Sequence, residues 1–210
     1  MHLRVAERVK CLFDNLDETA FYIGSIAPDS GRMVDDFTYL PPKDVSHWKR
    51  ENVSYEQRFL DNHEFYLKYC KNERDNFKRS LCLGYYVHIL VDTIFVRDII
   101  HPYMAKHGYP FWQANIKKIR KGWYEIDFRY LAKNQPYRPY EMLKTVPPFD
   151  NSFISYFASD DFYNRVVDTI NLYDNAKVDM DCEFFTHTDA EADLLETRMV
   201  NEVTEIIKNI

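Results

Sequence analysis

The sequence predicts an all-α fold, a multi-helix bundle forming a single domain over residues 1–210, on three observations. Glycine is scarce, five in 210 residues against an average near ~7%, which leaves too few residues for the tight turns and bulges of an all-β chain. Between Leu81 and Ile100 nearly every face of a helix-length stretch is apolar, the mark of a helix buried in the middle of a bundle. Around it, apolar stripes recur at spacings of three and four. Sixteen Tyr and fifteen Phe supply large core side chains, so the core needs neither disulfides nor an obligatory structural metal.

The elements follow in order. From His2 to Asn15 the residues His2, Ala6, Val9, Leu12, Phe13 and Leu16 share one stripe, which predicts an amphipathic helix with His2 facing inward. From Asp17 to about Lys49 the pattern breaks up around Gly24, Pro28, Gly31, Pro41 and Pro42, and this reads as a long irregular excursion of the functional kind. Ser54 with Gln57 offers a capping box to a helix ending near Lys71. The long central helix runs from Asp75 to His107, with a kink expected ahead of Pro102. Further helices are predicted over about Phe111 to Lys133, Asp161 to Asn175 and Asp189 to Asn209, the last capped by Thr188 and Glu191. Its stripe of Ala192, Leu195, Met199, Val203, Ile206 and Ile210 suits packing on the core first, and a homodimer through this C-terminal helix second.

A net charge of −6 disfavours nucleic acid as a partner. The central helix is no transmembrane segment, because His88, Asp92, Arg97 and Asp98 would each be costly in hydrocarbon. Four scattered cysteines without a C-x-x-C pair, and no secretory signal, lead to the expectation of a cytoplasmic protein with reduced thiols.

Chemistry concentrates at few places. His88 and Asp92 stand four apart on the central helix, so an imidazole and a carboxylate share one face and can converge on one ion; a buried His paired with its Asp neighbour is the ordinary alternative. His2, Asp29 in the run Gly24 to Asp29, and His47 in Ser46-His47-Trp48 are further candidates, each of which alone reads as a packed His, a turn former and a surface loop His. Together they make a set of imidazoles and carboxylates that suits zinc, with manganese or iron as other ions such ligands accept. Lys117, Lys118, Arg120 and Lys121 near Trp123 and Tyr124 form a basic patch that could grip phosphate, though a solvated helix face explains it as well.

The order of these blocks carries a resemblance. His2 at a helix start, Gly24 to Asp29 as G-x-I-A-P-D, Ser46-His47-Trp48, and Gly84-Tyr85-Tyr86-Val87-His88 with Asp92 resemble the zinc-dependent phospholipase C family over about the first 100 residues. The resemblance implies an all-α fold with ions between helices, one zinc held by Asp29, His47, His88 and Asp92, and Asp92 bridging to a second ion also held by His2. The chain departs from the family pattern in three places. His2 directly follows Met1, where the secreted members use a free N-terminal amine and carbonyl; the sixth residue past Asp92 is Asp98 rather than His; and past Asp92 the only H-x-x-x-E is His187 with Glu191, far downstream. One or two ions are therefore expected, not three.

The expected function is a metal-dependent hydrolase of phosphate esters, a phosphodiesterase of phospholipase C type with a zinc-bound hydroxide as nucleophile and a small-molecule or lipid ester as substrate. Asp29 is the candidate general base or orienter, while Tyr22, Arg97 and Trp48 are unranked candidates for substrate contact. A non-catalytic helical metal-binding module is the alternative.

Overall fold

The computed structural model describes residues 1–35, 38–50 and 52–210, so Asp36 and Phe37 of the expected excursion lie outside the described residues. The fold is all-α, with one two-stranded hairpin among those residues. One hydrophobic cluster joins residues from Leu3 near the start to Ile207 near the end.

Helix α1 covers His2–Val9 and continues as a single 3-10 turn, Lys10–Leu12. Its face of Leu3, Val5, Ala6 and Val9 is buried. Arg4 is buried as well, paired with Glu196 at 2.5 Å and Asp193 at 2.6 Å and lying 3.8 Å over the Tyr130 ring. Removing either member of such a buried pair would strand the other charge, so the pair fixes where α1 sits.

The expected excursion turns out to be ordered by short elements. Helix α2, Glu18–Gly24, starts where Asp17 accepts a hydrogen bond from the Ala20 amide at 3.0 Å. A 3-10 turn, Ala27–Asp29, follows, then strands β1, Arg32–Asp35, and β2, Thr38–Leu40, which pair antiparallel, and then helix α3, Lys43–Ser46. Each is too brief to show a period in sequence.

Helix α4, Tyr55–Tyr69, is capped by Ser54 accepting from the Gln57 amide, while the Gln57 side chain turns instead to Asp61, so the reciprocal box is not formed. Helix α5, Asn76–Phe95, is the predicted central helix, with every residue from Ser80 to Val91 buried. It passes through a π turn, Val96–Ile100, into helix α6, His101–His107. The π turn stands where a kink was expected: Pro102 cannot donate a backbone hydrogen bond, and the widened turn lets the helical path run past it.

Helices α7, Tyr109–Lys133, α8, Arg138–Leu143, α9, Asp161–Asp174, and α10, Asp189–Lys208, complete the fold. Thr188 and Glu191 form the full capping box on α10. Ala192, Leu195, Met199 and Val203 of the C-terminal stripe are buried in this chain's own fold, which accounts for the heptad-like spacing through packing. Arg97 grips Glu202 with two bonds of 2.7 Å and ties α10 to the end of α5.

Helices α2 and α5 meet backbone to backbone where Gly24 and Gly84 face one another. A Cβ on Gly24 would stand 1.9 Å from the Leu81 carbonyl oxygen, and one on Gly84 2.0 Å from that of Phe21. Backbone cannot swing aside as a side chain can, so even one methyl group must drive the helices apart. Gly84→Ala is therefore expected to cost about 2–3 kcal/mol and lower the thermal midpoint by about 5–10 °C in a circular-dichroism melt. A midpoint within a degree of the wild type would mean that the helices do not meet this closely.

Candidate metal centre

The close approach of α2 and α5 brings the chain just after Gly24 over the side chain four residues after Gly84. His88, fully buried on α5, places Nδ1 2.8 Å from the Ser25 carbonyl oxygen. A carbonyl can only accept, so Nδ1 carries the hydrogen and Nε2 keeps its lone pair. That Nε2 is buried and has no hydrogen-bond partner.

His47 follows α3 and is oriented in the same way, with Nδ1 hydrogen-bonded to Ser46 Oγ at 2.8 Å. Tyr85 donates to the Ser46 carbonyl, which anchors this turn to α5. Trp48, at a left-handed φ of 48°, reverses the chain after His47 and is held by its own bond to Tyr156 Oη at 3.0 Å and by edge contact with Phe65. His2, at the start of α1, stacks on His88 with centroids 3.7 Å apart and planes inclined by 10°.

Five side chains thus face a common space. Asp92 Oδ1 lies 3.3 Å from His2 Nε2, while its Oδ2 lies 3.3 Å from His47 Nε2 and 3.8 Å from His88 Nε2. Asp29 Oδ1 is 3.4 Å from His47 Nε2. Among the described residues, three-membered sets able to hold an ion occur here alone: His2, His88 and Asp92, and Asp29, His47 and His88. Donors bonded at about 2.0–2.1 Å around a tetrahedral zinc stand about 3.3–3.4 Å apart, so these separations and the unpartnered Nε2 of His88 fit such an ion.

The surroundings hold the donors in ligand form. Burial disfavours charge on His88, the nearby His2 adds to that effect, and its pKa is pushed down to about 3. Burial by itself would raise the Asp29 carboxyl, but its polar contact with His47, the Lys43 charge beside it and the neighbouring His88 and Arg165 outweigh it and hold the pKa well below the ordinary range. Asp92 is likewise held low against burial, by its hydrogen bond with His2 and the neighbouring His88 and His47. Lys43 pairs with Asp29 directly and Arg165 approaches it at 3.8 Å. Neither cation was legible as part of a site, since Lys43 stands alone in a stretch with no period and Arg165 comes from α9, more than a hundred residues downstream.

Other expectations resolve differently. Tyr22 is fully buried, its hydroxyl bonded to Glu7 and Lys10, so it cannot reach a substrate. Arg97 is taken by Asp98 and Glu202, and Trp48 by Tyr156. The elements of a third centre are dispersed: Asp98 pairs with Arg97 and Arg198, His187 with Thr186 and the Phe95 ring, and Glu191 closes the cap of α10.

An all-α bundle holding imidazoles and carboxylates between its helices defines the class, a helical protein with a cluster of side chains that could hold a metal ion. The family model for zinc dependent phospholipase C matches residues 1–177, well past the stretch in which the motifs lie, and the chain belongs to that family. No curated protein and no solved structure matches it.

The buried imidazole sets an acid sensitivity in metal-free protein. His88 has a folded pKa below its unfolded value of about 6.5, so the unfolded chain takes up the proton first. Its contribution is complete above that value and falls as pH drops toward about 3, by at most about 1.4 kcal/mol per unit. Asp29 and Asp92 are depressed carboxylates whose stabilisation is present above their unfolded pKa of about 3.9 and lost only below it. Between about pH 6 and 5, above the range in which the carboxylates titrate, the slope therefore belongs mainly to histidine, with His101 and His187, also shifted down by burial, contributing a part. In urea unfolding of chelator-treated protein, His88→Gln should remove about 1 kcal/mol of the pH-dependent loss across that window. An unchanged pH slope in the variant would show that His88 is not held neutral by the fold.

Proposed function

We propose that this chain is a zinc-dependent hydrolase of phosphate esters, acting on phosphodiesters of the phospholipid head-group type, with His2, Asp29, His47, His88 and Asp92 as the metal ligands. The observation that carries the reading is the Asp92 carboxylate, whose two oxygens face different imidazoles, His2 on one side and His47 with His88 on the other. A carboxylate so placed suits a bridge between two ions, one held by Asp29, His47, His88 and Asp92 and a second, with fewer protein ligands, by Asp92 and His2. Zinc is the ion that family membership supports, ahead of manganese or iron.

When bound, zinc polarises a phosphoryl oxygen and lowers the pKa of water to about 7. The chain's own groups supply the rest. Ser25 and Ser46 hold His88 and His47 in the orientation that turns Nε2 to the site. Asp29, kept ionised by Lys43 and Arg165, suits a role as ligand and orienter better than one as proton store. Lys43 and Arg165 at its edge, with Lys49 near Asp92, set positive charge where an anionic ester would approach. The side chains of His2, Asp29 and Asp92 are 25%, 29% and 35% exposed, so the cluster opens to solvent as a substrate site must, which favours a hydrolase over a closed structural site.

His88→Ala and Asp92→Ala are each expected to abolish stoichiometric zinc while far-ultraviolet circular dichroism stays close to wild type. Elemental analysis decides it, and full zinc content in either variant would remove the shared site. The zinc-loaded wild type should hydrolyse a generic aryl phosphodiester, lose that activity to a chelator and regain it with added zinc. If protein shown to carry zinc turns over no phosphodiester, phosphomonoester or phosphocholine ester, the non-catalytic module becomes the better reading.

A further inference from the structure

Past Asp98 the chain changes character. From Ile99 to Tyr124 there is no Asp or Glu, although the whole chain holds 33 and carries a net charge of −6. The same stretch contains Lys106, Lys117, Lys118, Arg120 and Lys121, and its aromatic residues include Tyr103, Tyr109, Phe111 and Trp112.

In the fold this stretch forms the hairpin of α6 and the first half of α7, turning at Gly108 with φ 84°, and no residue from His101 to Lys118 is buried. The hairpin packs largely on itself: the Tyr103 ring stacks on His107 at 4.3 Å and meets Trp112 at 6.3 Å. It joins the core at its base, where Trp123 meets Phe95 of α5 at 5.2 Å. At 100° per residue, Trp112, Ile116 and Ile119 share the inner stripe of α7, and Lys117, Lys118 and Lys121 the outer one. The loop before α10 lays Asp179 against Lys121 and brings Glu183 beside Gly122, both at the base. Lys106, Lys117 and Lys118 make no ion pair among the described residues, and Tyr109 and Phe111 at the tip are 57% and 38% exposed.

We propose that the α6–α7 hairpin docks this protein on an anionic lipid surface, with Tyr109 and Phe111 entering the headgroup boundary and Lys106, Lys117 and Lys118 lying at the lipid phosphates. Aromatic rings beside lysines on a helical surface are the composition that binds such an interface, and each lysine gains from the negative surface potential. Charge also separates this occupant from a nucleic acid. A flat bilayer touches the exposed hairpin alone, whereas a long polyanion would run on over the rest of a chain whose net charge is −6. No helix among the described residues is long and apolar enough to cross the bilayer, so the contact is peripheral. The tip lies about 25 Å along the helical path from Asp92, close enough to keep the metal cluster near the surface. That last use, presenting a lipid ester to the cluster, rests on the hydrolase reading; the docking does not.

Zinc-loaded full-length protein is sedimented with vesicles of phosphatidylcholine alone and of phosphatidylcholine mixed with phosphatidylserine. Binding should require phosphatidylserine and weaken with salt. The triple variant Lys106→Gln, Lys117→Gln, Lys118→Gln should lower partitioning about a hundredfold, and Tyr109→Ser with Phe111→Ser should lower it at every salt concentration. Both variants should keep the wild-type melting curve and the wild-type rate on a soluble aryl phosphodiester. Wild-type protein that ignores phosphatidylserine vesicles, or variants that bind them as the wild type does, would overturn the proposal. So would an oligonucleotide that displaces the protein from vesicles through the same lysines. Vesicle binding without ester hydrolysis would sink the hydrolase reading and leave the docking; hydrolysis without vesicle binding would do the reverse.

Discussion

The absence of two side chains, at Gly24 and Gly84, is the constraint on which the rest of the structure depends. It lets the backbone of α2 lie directly on that of α5, nearer than any larger residue would permit. The Ser25 carbonyl then reaches His88 Nδ1, selects the tautomer of that ring and leaves Nε2 unpartnered toward the other ligands. Four residues further on, the 3-10 turn that follows α2 delivers Asp29 to the same space. A helix contact made for packing thus also aims the His88 ring and brings Asp29 to the cluster.

Bringing three imidazoles and two carboxylates together has a cost that the surrounding structure offsets. The carboxylates stay ionised because Lys43, Arg165 and the histidines face them. His2 sits at the first turn of a short helix, whose placement depends on the buried pairing of Arg4 with Glu196 of α10. The C-terminal helix contributes no ligand to the cluster, yet it anchors both α1 through Arg4 and the end of α5 through Arg97. Its own H-x-x-x-E residues serve structure: Glu191 completes a helix cap, and His187 packs on Phe95.

Charge is distributed unevenly along α5 and its continuation. Asp92 faces inward to the cluster, Asp98 is neutralised by Arg97, and beyond it the helical path enters a hairpin without a single carboxylate. An acidic protein thereby presents one basic, aromatic protrusion, which net charge alone conceals.

The sequence by itself determined the helical class, the buried central helix, the caps at Ser54 and Thr188 and the i, i+4 pair of His88 and Asp92, because each rests on interactions within a few residues. Family membership was legible from the order of four short blocks for the same reason. Tertiary structure decided what those local rules cannot reach. The excursion after Asp17 became two short helices, a 3-10 turn and a hairpin, elements too brief to leave a period, held by contacts with α5 and α9. Lys43 and Arg165 joined the cluster from elements with no motif of their own. Tyr22 turned inward, and Arg97 was claimed by Glu202, a residue 105 positions away. The stacking of His2 on His88 likewise depends on α1 being pinned by α10, and a side chain's partners across such separations are set by packing of the whole chain, not by the residues beside it.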